Sequence, residues 1–252
     1  MTTFSRIPAR PFLGLISLLS AGWALFFLFN ADHSVQLDNI AIRIMSGDGF
    51  QQSPLLDTVP LLSSAESRAI CNPREMRGTA IIRLRLFEDA INASDTRLAD
   101  QRLKSLRSSV DLALGCVPTE GFLWFIRYWS AINAGSPAGE HFEELRMSYL
   151  LAPFEGWIAF RRSPYVLAIY DALPADLKES ALNEMVAIIT SGFISEAVNI
   201  LQGPGSTIWD QLRPRLEKTR LDIRIQLDKT LRARGLNVEI PGVEPREFRP
   251  WQ

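Results

Sequence analysis

The sequence predicts an all-α protein: an N-terminal membrane helix followed by antiparallel helix pairs. Three observations carry this. The eighteen residues "FLGLISLLSAGWALFFLF", Phe12 to Phe29, contain no charge. Beyond them no stretch sustains the alternation of a half-buried strand, whereas apolar residues recur at i, i+3, i+4 and i+7. Proline or glycine stands at most of the joints between these helical stretches, in "GSPAG", "AP", "LP", "SG" and "GPG".

As a helix the uncharged stretch would be ~27 Å long, close to the ~30 Å hydrocarbon thickness of a bilayer. Two other readings compete with the anchor, a cleaved signal peptide and a buried core helix. The apolar region of a signal peptide is shorter and ends in small residues, whereas here the end reads "FFLFNADHS". An uncleaved anchor is therefore expected. Arg6 and Arg10 precede the span and Asp32, His33 and Asp38 follow it. Positive charge stays in the cytoplasm, so residues 1–11 are placed there and the residues after the span in the periplasm or the exterior. The 252 residues suffice for one ordinary domain, and at 47% hydrophobic they can form a core. Removing the first thirty residues leaves 25 basic and 28 acidic residues. Such a surface does not suit nucleic acid as a partner, because phosphate binding needs a basic face.

Residues 30–70 read as a juxtamembrane helix and linker. Leu37, Ile40, Ala41, Ile44 and Met45 share a helix face that ends at Gly47 to Gly49, and "QQSPLLDTVPLL" is a proline-punctuated connector. Residues 71–235 read as a helical-repeat domain. Its first helix runs from about Pro73 to Ala93, with Ala80, Leu84, Phe87 and Ile91 on one face. After "ASDT" the second runs from about Arg97 to Leu114, with Ala99, Leu103, Leu106, Val110 and Ala113 on one face. A short polar turn makes these an antiparallel hairpin. Cys71 precedes the first helix and Cys116 follows the second, so both lie at the same end of the hairpin and a disulfide is expected. An oxidising compartment permits that bond. The competing reading is two unrelated buried thiols. A zinc site would need further ligands that the chain does not supply.

Further helices are expected at about 119–134, 138–151, 155–173, 175–191, 194–202, 207–218 and 219–234, the last closed by Gly235 at a C-terminal cap position. Residues 236–252 are proline-rich and aperiodic, and either wrap the domain or lie free.

Chemistry is thin. His33 and His141 are the only histidines, and neither sits in a metal-ligand spacing. No phosphate loop, dinucleotide fingerprint or nucleophile elbow occurs. The adjacent Glu143 and Glu144 diverge by ~100° on a helix and cannot face one another as an acid/base pair. No catalytic residue, metal ligand or cofactor is assigned. The densest aromatic set is Trp124, Phe125, Tyr128, Trp129, Phe154, Trp157 and Phe160. It falls around "LLAPFEGWIAFRRSPY", Leu150 to Tyr165, which reads first as a corner between helical units. Pro153, Phe154, Trp157, Trp124 and Trp129 are assigned to packing between helix pairs. Phe160, Arg161 and Arg162 are assigned to a partner contact, with Arg162 expected to face outward.

The segment Phe122 to Pro153 resembles a tetratricopeptide repeat. With Pro153 as the terminal proline, Phe125, Tyr128 and Ile132 fall on the inner side of the first helix and Leu145 and Ser148 on the second. Trp129 and His141 stand where that family has small residues and Trp157 arrives two residues early, so the repeat is degenerate. The match covers one unit and at most a second, Glu155 to Ser191. The resemblance implies a right-handed array of helix pairs whose surface binds other proteins. More loosely, the order of anchor, Cys-to-Cys hairpin, "FLWFIRYW", "LAPFEGWIAFRR", "SGF" and "GPG" is similar to single-span bacterial envelope proteins, some of them linked to surface-polysaccharide machinery. This implies a non-enzymatic, membrane-anchored scaffold or adaptor for an envelope protein in exopolysaccharide or O-antigen assembly or export. The alternative is direct binding or modification of a polysaccharide by the Trp/Phe/Arg corner.

Overall fold

The computed structural model describes residues 9–47, 55–68, 71–153 and 155–244, leaving aside the side chains of 9–11 and 26–34. The described residues form helices and turns and contain no strand. The chain divides into two compact units, Met1–Pro118 and Thr119–Gln252. The division falls inside the 71–235 span that the sequence reading takes as one domain.

In the first unit a single helix, α1 (Ala9–Met45), runs without a break from the apolar stretch into the juxtamembrane segment. Its last turns bury Leu37, Ala41 and Ile44, three of the five residues on the expected face. They pack on α3 (Pro73–Asn92), where Gly78 lets the backbones meet: a Cβ there would lie 3.2 Å from the Leu37 carbonyl carbon and oxygen. Along Phe12–Leu25, by contrast, the apolar side chains are open, Trp23 to 68%. No helix among the described residues is long and apolar enough to cross a membrane. The final four residues of the expected span, 26–29, belong to the stretch whose side chains are not described.

Helix α2 (Val59–Ser67) buries Leu62 and Ala65 and is tied to α3 by two ion pairs, Arg83 with Glu66 at 2.7 Å and Arg68 with Glu75 at 2.7 Å. The start of α3 follows from local chemistry: the Asn72 side chain accepts a hydrogen bond from the Glu75 N–H, and Pro73 occupies the first helical position, where its missing donor costs nothing. Ser94, in the left-handed region at φ 57°, makes the turn, and the Asp95 carboxylate accepts the Leu98 N–H to open α4 (Thr96–Cys116). Helices α3 and α4 form the expected hairpin. Leu103, Leu106, Val110 and Ala113 are buried as the spacing predicts; Ile91, the last of the α3 stripe, is exposed because it sits in the final turn. Cys71 and Cys116 are joined by a disulfide across the open end, Cα to Cα 5.6 Å.

The second unit begins with α5 (Gly121–Asn133), a 3₁₀ turn (Ala138–His141) and α6 (Phe142–Leu151). Helix α7 (Gly156–Ala168) and α8 (Ala175–Thr190) follow, separated by a 3₁₀ turn at Tyr170–Ala172. Helix α5 packs on α6 and α7 on α8, while α9 (Ile194–Gln202) packs on α8 and on α11 (Leu221–Ala233). The helix expected at 207–218 is instead two 3₁₀ segments, Pro204–Ile208 and Arg213–Lys218, flanking the single turn α10 (Trp209–Leu212). Pro214 removes a backbone donor there, and a continuous α-helix loses the bond that donor would make. Gly235 closes α11 at φ 78°, with the Leu236 N–H returning to the Leu231 carbonyl as the expected cap requires.

Candidate functional site: the arginine and aromatic corner

The corner is built where α6 ends and α7 begins, against α8. On α7 the buried stripe is Ile158, Ala159, Arg162, Ser163, Val166 and Leu167, and on α8 it is Leu177, Ala181, Glu184, Met185 and Ile188. Each stripe carries one charged residue. Packing the stripes together brings them into contact, because residues three and four apart share a helix face.

Arg162 is therefore the reverse of an outward contact: it is 0% exposed, the largest fully buried side chain among the described residues. Its Nε donates to Glu184 Oε2 at 3.1 Å and its Nη2 makes a still shorter contact with the same oxygen. Nη1 donates to Ser148 Oγ at 2.8 Å, and Nη2 also donates to the Ala152 carbonyl at 3.0 Å. Ala152 is the C-terminal cap of α6, so the guanidinium satisfies a carbonyl at the negative end of that helix. The cation also lies over the Tyr149 ring, 3.8 Å from its centre. Glu184 in turn accepts from Ser163 Oγ at 2.8 Å and from the Tyr149 hydroxyl at 3.4 Å. Burial, then the Glu184 charge, pushes the Tyr149 hydroxyl well above its ordinary pKa, so it stays protonated and able to donate. A buried charge is tolerated when it is paired and its remaining donors are met. Here one guanidinium ties three helices together.

The aromatic residues form a row beside this network. Trp157, half-buried, meets Phe122 edge-on at 4.6 Å; Tyr165 meets Phe125 at 6.1 Å and Trp129 at 5.8 Å. Trp129 is buried, and Trp124 lies half-buried under the Arg127 guanidinium. Phe160 packs edge-on against Phe193 at 5.1 Å. Arg161 is half-buried and Pro153 exposed, while Phe154 lies outside the described residues. Pro153 therefore supplies little packing, and the wedge between the helices is Trp157 on Phe122. At Gly121 helices α5 and α6 meet closely: a Cβ there would fall 2.6 Å from the Ala152 Cβ and 3.0 Å from its backbone nitrogen.

Sequence reasoning did not assign Glu184, Tyr149 or Ser163. The signal for the first was present: Glu184 is the one carboxylate on the apolar stripe of α8, as Arg162 is the one cation on that of α7. Around the network, exposed pairs lie on the surface. Arg146 bonds Asp176 at 2.5 Å and Arg215 bonds Glu179 at 2.6 Å, and the hydrogen bonds hold both carboxyls below their ordinary pKa. His141 Nδ1 lies 3.2 Å from Glu144 Oε1, and no metal-holding group of side chains exists among the described residues. His33 lies among the undescribed side chains. Compared with family models, curated proteins and solved structures, the chain has no match.

Proposed function

We propose that this chain is a non-enzymatic, membrane-tethered adaptor of the bacterial envelope, its N-terminus cytoplasmic and its helical units periplasmic, binding another envelope protein in polysaccharide assembly or export. The observation that carries the reading is α1. Its apolar half exposes side chains all round, from Phe12 to Leu25, and the same unbroken helix then packs on α3. A helix apolar on every side needs an apolar surrounding, and a bilayer supplies it. The disulfide favours an oxidising compartment. The buried network occupies the polar groups of the corner in holding helices, which supports a binding role over a catalytic one, and the degenerate tetratricopeptide-like pairing supports protein partners.

The test is in cells. Reporter fusions after Asp38 and Gln252 are expected to be active only outside the cytoplasm, and cytoplasmic activity at both overturns the reading. A photo-crosslinking residue belongs at an exposed position such as Leu150, 72% open, because Arg162 is inaccessible. Discrete protein adducts are expected. A second reading, polysaccharide binding, is favoured by one observation: Tyr165 is 48% exposed at the edge of the aromatic row. Retention on a glycan matrix that is lost on Tyr165→Ala, with no protein adducts, would favour it.

A further inference from the structure

Two helices of the second unit end at the same place. Ile169, which caps the end of α7, and Gly203, which caps the end of α9, both line an open cleft of about 590 Å³. Gly205 lets them converge: a Cβ there would lie 3.0 Å from the Ile200 carbonyl oxygen on α9 and 3.3 Å from the Leu167 side chain on α7. The turn that follows α9 is thus held against both helix ends, with no room for a side chain. Asp171, exposed, is the one charged residue among the described residues that line the cleft. Its carboxylate forms no ion pair among the described residues; Lys178 donates instead to the Asp171 backbone carbonyl at 3.0 Å, its ammonium 5.6 Å from the centre of the Tyr170 ring.

We infer that this cleft binds a basic side chain, lysine or arginine, of the protein partner. Charge sets the sign of the ligand. Each helix end carries about half a negative charge, so that with the Asp171 carboxylate the cleft faces a ligand with about −2. An anion is repelled there, and a neutral ligand leaves the field unmet. Lys178 is an independent observation of the same preference: an ammonium of the chain itself is already held on this turn, by a backbone carbonyl and an aromatic face. It does not line the cleft, so it leaves the Asp171 carboxylate to another cation. The rest of the lining suits the rest of a basic side chain. Ala168, Ile169 and Pro204 offer apolar surface to a methylene stem, and the Ser206 and Thr207 hydroxyls can accept from an ammonium or guanidinium N–H. The preference for a cation stands on the cleft alone; only its source, a protein, rests on the adaptor reading.

The test uses the full anchored chain in phosphatidylcholine nanodiscs, with empty nanodiscs as the blank. The probes are n-butylguanidinium and its neutral counterpart n-butylurea, followed by saturation-transfer NMR. The cation is expected to bind, and the urea to bind about fivefold more weakly, the scale of one partly exposed charge interaction. Asp171→Asn should lower cation binding to the level of the urea, and Asp171→Glu should restore it. Glu196→Gln, which removes an exposed acid of α9 outside the cleft, should leave it unchanged. Equal binding of the two probes, or cation binding indifferent to Asp171→Asn, overturns the inference. Glucosamine bound as strongly as n-butylguanidinium overturns the side-chain assignment in favour of a glycan amine. In cells, a photo-crosslinking residue at the exposed Thr207 is expected to give protein adducts that disappear in Asp171→Asn. Adducts at Leu150, with Thr207 adducts unchanged in that variant, overturn this inference and leave the adaptor reading standing. No adducts at either position overturn the adaptor reading and, with it, the protein source of the cation. Circular dichroism melting of Asp171→Asn at the parent's temperature establishes that the exposed carboxylate was replaced without unfolding.

Discussion

Removing Arg162 is expected to break the second unit's stability, not a binding surface. In Arg162→Ala the Glu184 carboxylate stays in a site that is 2% exposed, with only Ser163 and Tyr149 to donate to it. Ser148 Oγ and the Ala152 carbonyl lose a donor as well. Breaking a buried pair by deleting one partner costs ~3–5 kcal/mol. For a unit of this size that is a fall in melting temperature of roughly 10–20 °C. Five of the six tryptophans, Trp124, Trp129, Trp157, Trp209 and Trp251, lie in this unit, so urea unfolding followed by tryptophan fluorescence reports on it directly. The decisive comparison is Arg162→Met with Glu184→Leu. Removing both charges leaves no orphaned carboxylate, and apolar replacement of a buried pair is often neutral or better. The double variant should therefore recover most of the loss, a coupling of several kcal/mol between the sites. A loss below ~1 kcal/mol in Arg162→Ala, the scale of an exposed pair, would refute the reasoning. So would a double variant no more stable than the single.

Three further perturbations have defined outcomes. Replacing Cys71 and Cys116 by Ser removes a link that closes a 45-residue separation; chain entropy sets the cost at about 4 kcal/mol, to be read as faster amide exchange along α3 and α4, and unchanged exchange would show that helix packing alone fixes the hairpin. Gly121→Ala puts a methyl group 2.6 Å from the Ala152 Cβ and should cost ~1–3 kcal/mol as overpacking, whereas Gly139→Ala, whose nearest neighbour is the Phe142 ring at 3.9 Å, should change little in the same urea titration. The Arg146 hydrogen bond lowers the folded-state pKa of Asp176 and the Arg215 hydrogen bond that of Glu179. A depressed carboxyl pKa gives stability that is present above the unfolded value, near 3.8 and 4.5 here, and is lost as pH falls through the folded one. Melting temperature should therefore drop on acidification below about pH 4.5, less steeply in Arg146→Gln with Arg215→Gln; an equal slope in that variant would assign the acid sensitivity elsewhere.

Much of this fold is legible in the residues because its helices are amphipathic and their ends carry chemistry. Asn72 and Pro73 mark the start of α3, Asp95 that of α4, and Gly235 the end of α11. The Cys71 to Cys116 disulfide is the one that the hairpin makes geometrically reasonable and an oxidising compartment permits. Two things were not legible. The continuity of α1 through Asp32 and Asp38 was missed because a polar interruption reads as an end, although a long helix needs only that each successive face meet a suitable surrounding. The division at Pro118 was missed because periodicity specifies which face is buried and not which neighbour buries it.

Arg162 shows the same gap at a single residue. Taken alone, an arginine beside a tryptophan-bearing corner is read as an outward contact, since arginine is seldom fully buried. Taken as one member of a stripe, it sits between Ala159 and Val166 on the face of α7 that must be covered, and the matching exception on α8 is Glu184. A charged residue on an apolar stripe is an unfavourable feature by itself. Two of opposite sign on stripes that pack together satisfy one another and also fix how those stripes align, because a slip of one turn would leave both buried and unpaired. The pair thus specifies the relative register of α7 and α8, and Ser148 and Ala152 extend that constraint to α6. A misaligned pair would lose its core, so the residue that sequence alone assigns to an outward contact instead holds three helices in one alignment.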